Sequence, residues 1–78
     1  MHLLNKKTNT KLDKIVIYLT KDEANELSSS LLEILKDISR HEHISNEDLS
    51  KEVTICIYDE NNISSFDKRS QILIKEDR

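Results

Sequence analysis

Not one of the 78 residues is glycine. Glycine is what lets a backbone enter left-handed turns cheaply or approach a phosphate closely. Without it the P-loop and the dinucleotide-binding fingerprint cannot be built, which excludes the nucleotide-dependent enzymes that rely on them. The single cysteine, Cys56, has no internal partner, so the disulfide framework common in small secreted domains is also excluded. The longest unbroken apolar run, Ile15 to Leu19, is far too short for a membrane span, and the first residues lack an apolar leader core. A soluble, cytoplasmic protein is therefore expected. At this length one domain, residues 1–78, is expected, with a thin Ile- and Leu-rich core under a surface supplied by 35% charged residues.

Periodicity divides the chain into alternating elements. Residues 1–11 are polar and basic apart from Leu3 and Leu4, and read as a loose tail or short edge strand. The β-branched run from Ile15 to Leu19 predicts a strand with apolar side chains on both faces. Thr20 stands three residues before Glu23 in a capping-box arrangement, which predicts a helix start. Ala24, Leu27, Leu31, Ile34, Leu35 and Ile38 then form a core-facing stripe, extending the helix to about Ser39. Arg40 and His41 suit the negative end of its dipole. His41–Ser45 predicts a short strand and Asn46–Lys51 a turn-rich connection. Val53, Ile55 and Ile57 alternating with Thr54, Cys56 and Tyr58 predict the next strand. Residues 64–75 fit a short helix better than a strand, with Ser64 and Asp67 as its capping pair and Phe66, Ser70, Leu73 and Ile74 on one face.

The fold class that results is α+β in the order β-α-β-β-α. A small antiparallel sheet of two to three strands carries one long helix on one face, and a short helix closes the chain. In this arrangement the Ile15–Leu19 and Val53–Tyr58 strands pair in mid-sheet. Val16, Tyr18, Cys56 and Tyr58 then share a face that the short helix covers only in part, so a homodimer through these four residues is expected.

Candidate chemistry is sparse. His41-x-His43 would project two imidazoles to one side of a strand, but a structural zinc site takes about four ligands, so no metal or other cofactor is expected and His41 and His43 are only weak candidates. An alternating apolar strand is where a buried, inert cysteine belongs, so pairing Cys56 with a histidine as nucleophile and base is not favoured, and no enzyme is expected. Charge says more. Residues 1–21 carry five lysines and one acid, net +4, whereas residues 22–60 carry eleven acids and three bases, net −8. The acids Glu42, Glu47, Asp48, Glu52, Asp59 and Glu60, with Tyr58 as an aromatic anchor, form the expected partner-binding surface. A net charge of −3 argues against nucleic acid as the ligand.

The succession Lys14-Ile-Val-Ile-Tyr-Leu-Thr20, Asp22-Glu-Ala24 opening a leucine-rich helix, His41-x-His43-Ile44, Val53-Thr-Ile-Cys-Ile-Tyr58 and Asn62-Ile63-x-x-Phe66 resembles small bacterial immunity proteins encoded beside polymorphic toxins. The resemblance spans about residues 12–75 and implies a non-enzymatic inhibitor that neutralises a cognate toxin, for example a basic nuclease, by stoichiometric contact. It implies no catalytic residues. Two alternatives stand beside this reading: a metal-responsive regulator using His41 and His43, and a purely structural homo-oligomerising domain.

Overall fold

A computed structural model describes all 78 residues, Met1 to Arg78. The class is α+β, with antiparallel strands, one long helix and one short C-terminal helix. The elements are β1 (Leu3–Asn5), β2 (Thr10–Leu12), α1 (Lys21–Lys36), β3 (His41–Ser45), β4 (Glu52–Cys56), a single 3₁₀ turn at Ile63–Ser65 and α2 (Lys68–Glu76). The strands form two separate two-stranded sheets, β1 with β2 and β3 with β4. Contacts group the chain into one unit of residues 1–17 and 59–78 and another of residues 18–58.

In the unit of residues 1–17 and 59–78, the segment expected as a loose tail or short edge strand is a hairpin with Leu3 opposite Leu12 and Asn5 opposite Thr10. Asparagine chemistry closes it without glycine. The Asn5 side chain accepts from the Lys7 and Thr8 backbone N–H groups at 3.0 and 3.2 Å, and Asn9 takes the left-handed conformation at φ 63°. Arg69 Nε on α2 donates to the Asn9 carbonyl at 3.2 Å, which ties helix to turn. The expected Ser64–Asp67 cap is corrected: Ser64 lies in the 3₁₀ turn, and the Asp67 carboxylate itself accepts from the Ser70 N–H at 2.8 Å; the Ser70 hydroxyl and N–H hold its pKa below the usual carboxylate range. Leu73 on α2 is the buried residue here. The C-cap Asp77 is left-handed, and its carboxylate lies 3.3 Å from His2 Nδ1 and 3.4 Å from Lys11 Nζ.

The unit of residues 18–58 is a helix on a hairpin. The capping box at Thr20 forms as expected, with Glu23 N–H donating to Thr20 Oγ1 at 3.1 Å and Thr20 N–H to Glu23 Oε1 at 2.9 Å. The helix ends at Lys36, short of the expected Ser39, because the Asp37 carboxylate captures both the N–H and the hydroxyl of Ser39, at 3.1 and 2.6 Å, and so diverts the chain into a turn. Lys36, not Arg40 or His41, is the base in the last helical turn; His41 already begins β3. Across the hairpin His41 faces Cys56, His43 faces Thr54, Ile44 faces Val53 and Ser45 faces Glu52. α1 packs on β3, where Ile34 is wholly buried and Ile44 is buried against solvent. Only part of the expected helical stripe is used: Leu27 and Ile38 are half-buried, while Ala24, Leu31 and Leu35 are exposed.

The main correction concerns Ile15–Leu19, which forms no strand and joins no sheet. All five residues are exposed. The expected face shared by Val16, Tyr18, Cys56 and Tyr58 is therefore not built, and α1 covers only the β3–β4 hairpin.

Candidate functional site

The hairpin's period of two separates its side chains into two sets. Glu42, Ile44, Val53 and Ile55 lie on the side toward α1 and are buried or half-buried. His41, His43, Glu52, Thr54 and Cys56 occupy the other side and are exposed, so Cys56 is not the buried cysteine expected from its strand. There the His41 and His43 rings meet edge to face with centroids 4.9 Å apart. His43 Nδ1 is committed locally, 2.7 Å from Thr54 Oγ1 and 2.8 Å from Glu52 Oε1. No group of three or more histidine, cysteine or acidic side chains is arranged to hold a metal ion.

The acids nominated from sequence do not gather in one place. Glu42 is half-buried at mid-hairpin beside Arg40, 3.8 Å away. Glu52 is engaged with His43. Asp59 belongs to the other unit, where its carboxylate accepts the Asn61 and Asn62 N–H groups at 2.8 and 3.0 Å and so shapes a turn; Glu60 lies in the same loop. Tyr58 follows the far end of β4, opposite to the end that carries Glu47 and Asp48. At about 3.3 Å per residue, the strand separates these two ends by roughly 20 Å.

Glu47 and Asp48 do find company. They sit in the β3–β4 turn and line a cleft of about 590 Å³ together with Asp22, Glu23 and Glu26 from the first turns of α1. Five carboxylates thus converge from two elements, and no basic residue lines the cleft. The turn side is held by Asn46, whose side chain accepts from Lys51 N–H and donates to Ser50 Oγ, both at 3.0 Å. The Ser50 hydroxyl and N–H hold the Asp48 carboxyl below the usual carboxylate range. On the helix side Asp22 and Glu23 lie in the first turn, where negative charge is favourable by about 0.3–1 kcal/mol per group. Asp22, Glu26, Glu47 and Asp48 remain exposed, which suits a macromolecular partner better than an enclosed small molecule. Sequence reading missed Asp22, Glu23 and Glu26 as site residues. The capping box that located the helix start also placed three carboxylates at it, but their proximity to residues 47 and 48 exists only after α1 has folded back on the hairpin.

The unit carrying this cleft has nine acids and four bases, net −5, whereas the other has six acids and eight bases, net +2. No helix is long and apolar enough to cross a membrane. No family model, curated protein or solved structure matches the chain.

Proposed function

We propose that this is a non-enzymatic binding protein of the immunity type, acting in the cytoplasm by stoichiometric contact between its acidic cleft and a basic protein, a toxin or nuclease being the kind of partner that fits. The convergence of Asp22, Glu23, Glu26, Glu47 and Asp48 on one cleft without a counter-charge carries this reading. Five like charges held together are an electrostatic cost to the free protein, and a basic partner relieves it. The same field speeds encounter: complementary potentials of this kind raise association rates by about 10- to 1,000-fold, an advantage that fades with salt. Glu23 is already partly engaged as the return arm of the capping box, so the other four acids are the adjustable part of the surface.

The test is co-expression with the protein encoded immediately upstream. Growth rescue and a 1:1 complex are expected. In the variant D22N/E26Q/E47Q/D48N the association rate should fall at least about tenfold at low salt, and its salt dependence should flatten. Failure to rescue growth, or binding indifferent to the four substitutions, overturns the proposal.

A further inference from the structure

The apolar run that joins no sheet is self-complementary. Lys14 to Leu19 lie in neither helix nor strand, and their backbone groups make no hydrogen bond within the chain. Val16 is 74% and Tyr18 90% exposed, with Ile15 and Ile17 close to half. Unsatisfied backbone beside exposed β-branched side chains is a template for strand addition.

We propose that residues 14–20 of two copies pair as an antiparallel, two-fold symmetric ribbon centred on Ile17, flanked by Asp13 at one end and by Lys21, the first residue of α1, at the other. A two-fold axis there sets Ile17 opposite itself, Val16 opposite Tyr18, Ile15 opposite Leu19 and Lys14 opposite Thr20, and brings Asp13 beside Lys21 of the other copy. Every apolar side chain meets an apolar one, and each end closes on an opposite-charge pair. The alternatives are worse by the same chemistry. Sliding one residue toward α1 brings Lys14 beside Lys21 and Asp13 beside Asp22. Sliding one residue the other way puts Lys14 against Leu19. A parallel in-register pair stacks Asp13, Lys14 and Lys21 each upon itself, and like charges directly opposite are destabilising. The charged ends are available for exchange: Asp13 is 77% exposed and engages only Lys11, at 3.4 Å, while Lys21 makes no ion pair. The paired segment and its flanking charges are consecutive, so the register follows from their own sequence.

The contact is small. A standard interface buries about 800 Å² per partner and a two-stranded ribbon less, so a dimer dissociating in the micromolar range or weaker is expected. Sedimentation of the full chain from about 10 to 500 µM under reducing conditions reads it, because that range brackets such an affinity. A concentration-dependent dimer is expected. Ile17→Lys, which sets two charges across the symmetry axis, should leave only monomer. Asp13→Lys and Lys21→Asp should each weaken association about threefold to tenfold, and the double swap D13K/K21D should return it to within about twofold of the parent. Both swap positions are exposed, so these variants retain the fold even where Ile17→Lys does not, and far-UV circular dichroism verifies this. A monomer at all concentrations, a dimer indifferent to Ile17→Lys, single swaps that the double swap does not rescue, or a dimer that vanishes in Cys56→Ser, each overturns the proposal.

Discussion

Ile15–Leu19 and Val53–Ile57 are the two β-branched runs of this chain, nearly interchangeable by composition, yet only the second is built into a strand. The difference lies in their neighbours along the chain. Val53 to Cys56 follow β3 after one short turn, so pairing costs little loop-closure entropy, and α1 then packs against β3. Ile15–Leu19 have a completed hairpin, β1–β2, on one side and the capping box of α1 on the other. No unpaired strand lies within a short turn of them. β-Propensity describes how well a residue suits a pleated surface, and a strand also needs a partner for its backbone.

This contrast can be broken at its strongest point first. Ile34→Ala and Ile44→Ala, at the buried contact between α1 and the hairpin, should each cost about 2–5 kcal/mol in urea unfolding, because little around a core this thin can fill the cavity. Val16→Ala in the exposed run should stay within about 0.5 kcal/mol. Equal losses at Val16 and Ile34 would mean that the first run is packed after all. Thr20→Ala removes the cap that ends the exposed run and starts α1, and should cost about 1 kcal/mol; Asp67→Ala tests the matching cap of α2 at the same scale. Leu49, in the β3–β4 turn, is left-handed at φ 60° and exposed, so Leu49→Gly should stabilise by about 0.4–1 kcal/mol, read as a raised midpoint. A drop would show that the Leu49 side chain is used.

The smallest effects concern charge. Ser39 holds the Asp37 carboxyl, and Ser50 the Asp48 carboxyl, below the ordinary 3.8, while Ser70 does so for Asp67 and Lys11 for Asp77. A depressed folded pKa means that the unfolded chain binds protons more readily. These groups therefore contribute stability above pH 3.8 and lose it as pH falls through their folded values. Lys11 works in the opposite direction: Asp13 and then Asp77 raise it, so its contribution is present below 10.5 and is lost as pH climbs beyond its folded value. All are surface groups, so a shallow acid slope is expected between about pH 5 and 2, with no single cooperative step. A steep acid transition in that window would point to a carboxylate far more strongly coupled than these.

Much of the fold was legible because its signals are local. The Thr20–Glu23 box, the His41–Ser45 strand, the alternation after Val53 and the short last helix each depend on a few adjacent residues. The hairpin at residues 3–12 was hidden because its turn uses Asn5 and left-handed Asn9 where a glycine signal is the usual guide. The helix stop was hidden for a similar reason, since Asp37 and Ser39 end α1 through side-chain capture, without a C-terminal glycine. Of the acids proposed for a partner surface, Glu47 and Asp48 come together at one cleft, while Glu42 turns to Arg40, Glu52 to His43 and Asp59 to its own loop. Linear charge counts contained no information about that partition.

The amino-acid sequence alone determined the class, the start of α1, the absence of glycine-built phosphate sites and the surplus of negative charge between residues 22 and 60. These rest on side chains speaking to backbone within four residues, or on charge, which needs no geometry. Tertiary structure decided which apolar run became a strand, which leucines of α1 were buried and which carboxylates became neighbours. Each of those outcomes depends on one element finding another across the chain, and the chain-entropy cost of that meeting separated two runs that composition made look alike.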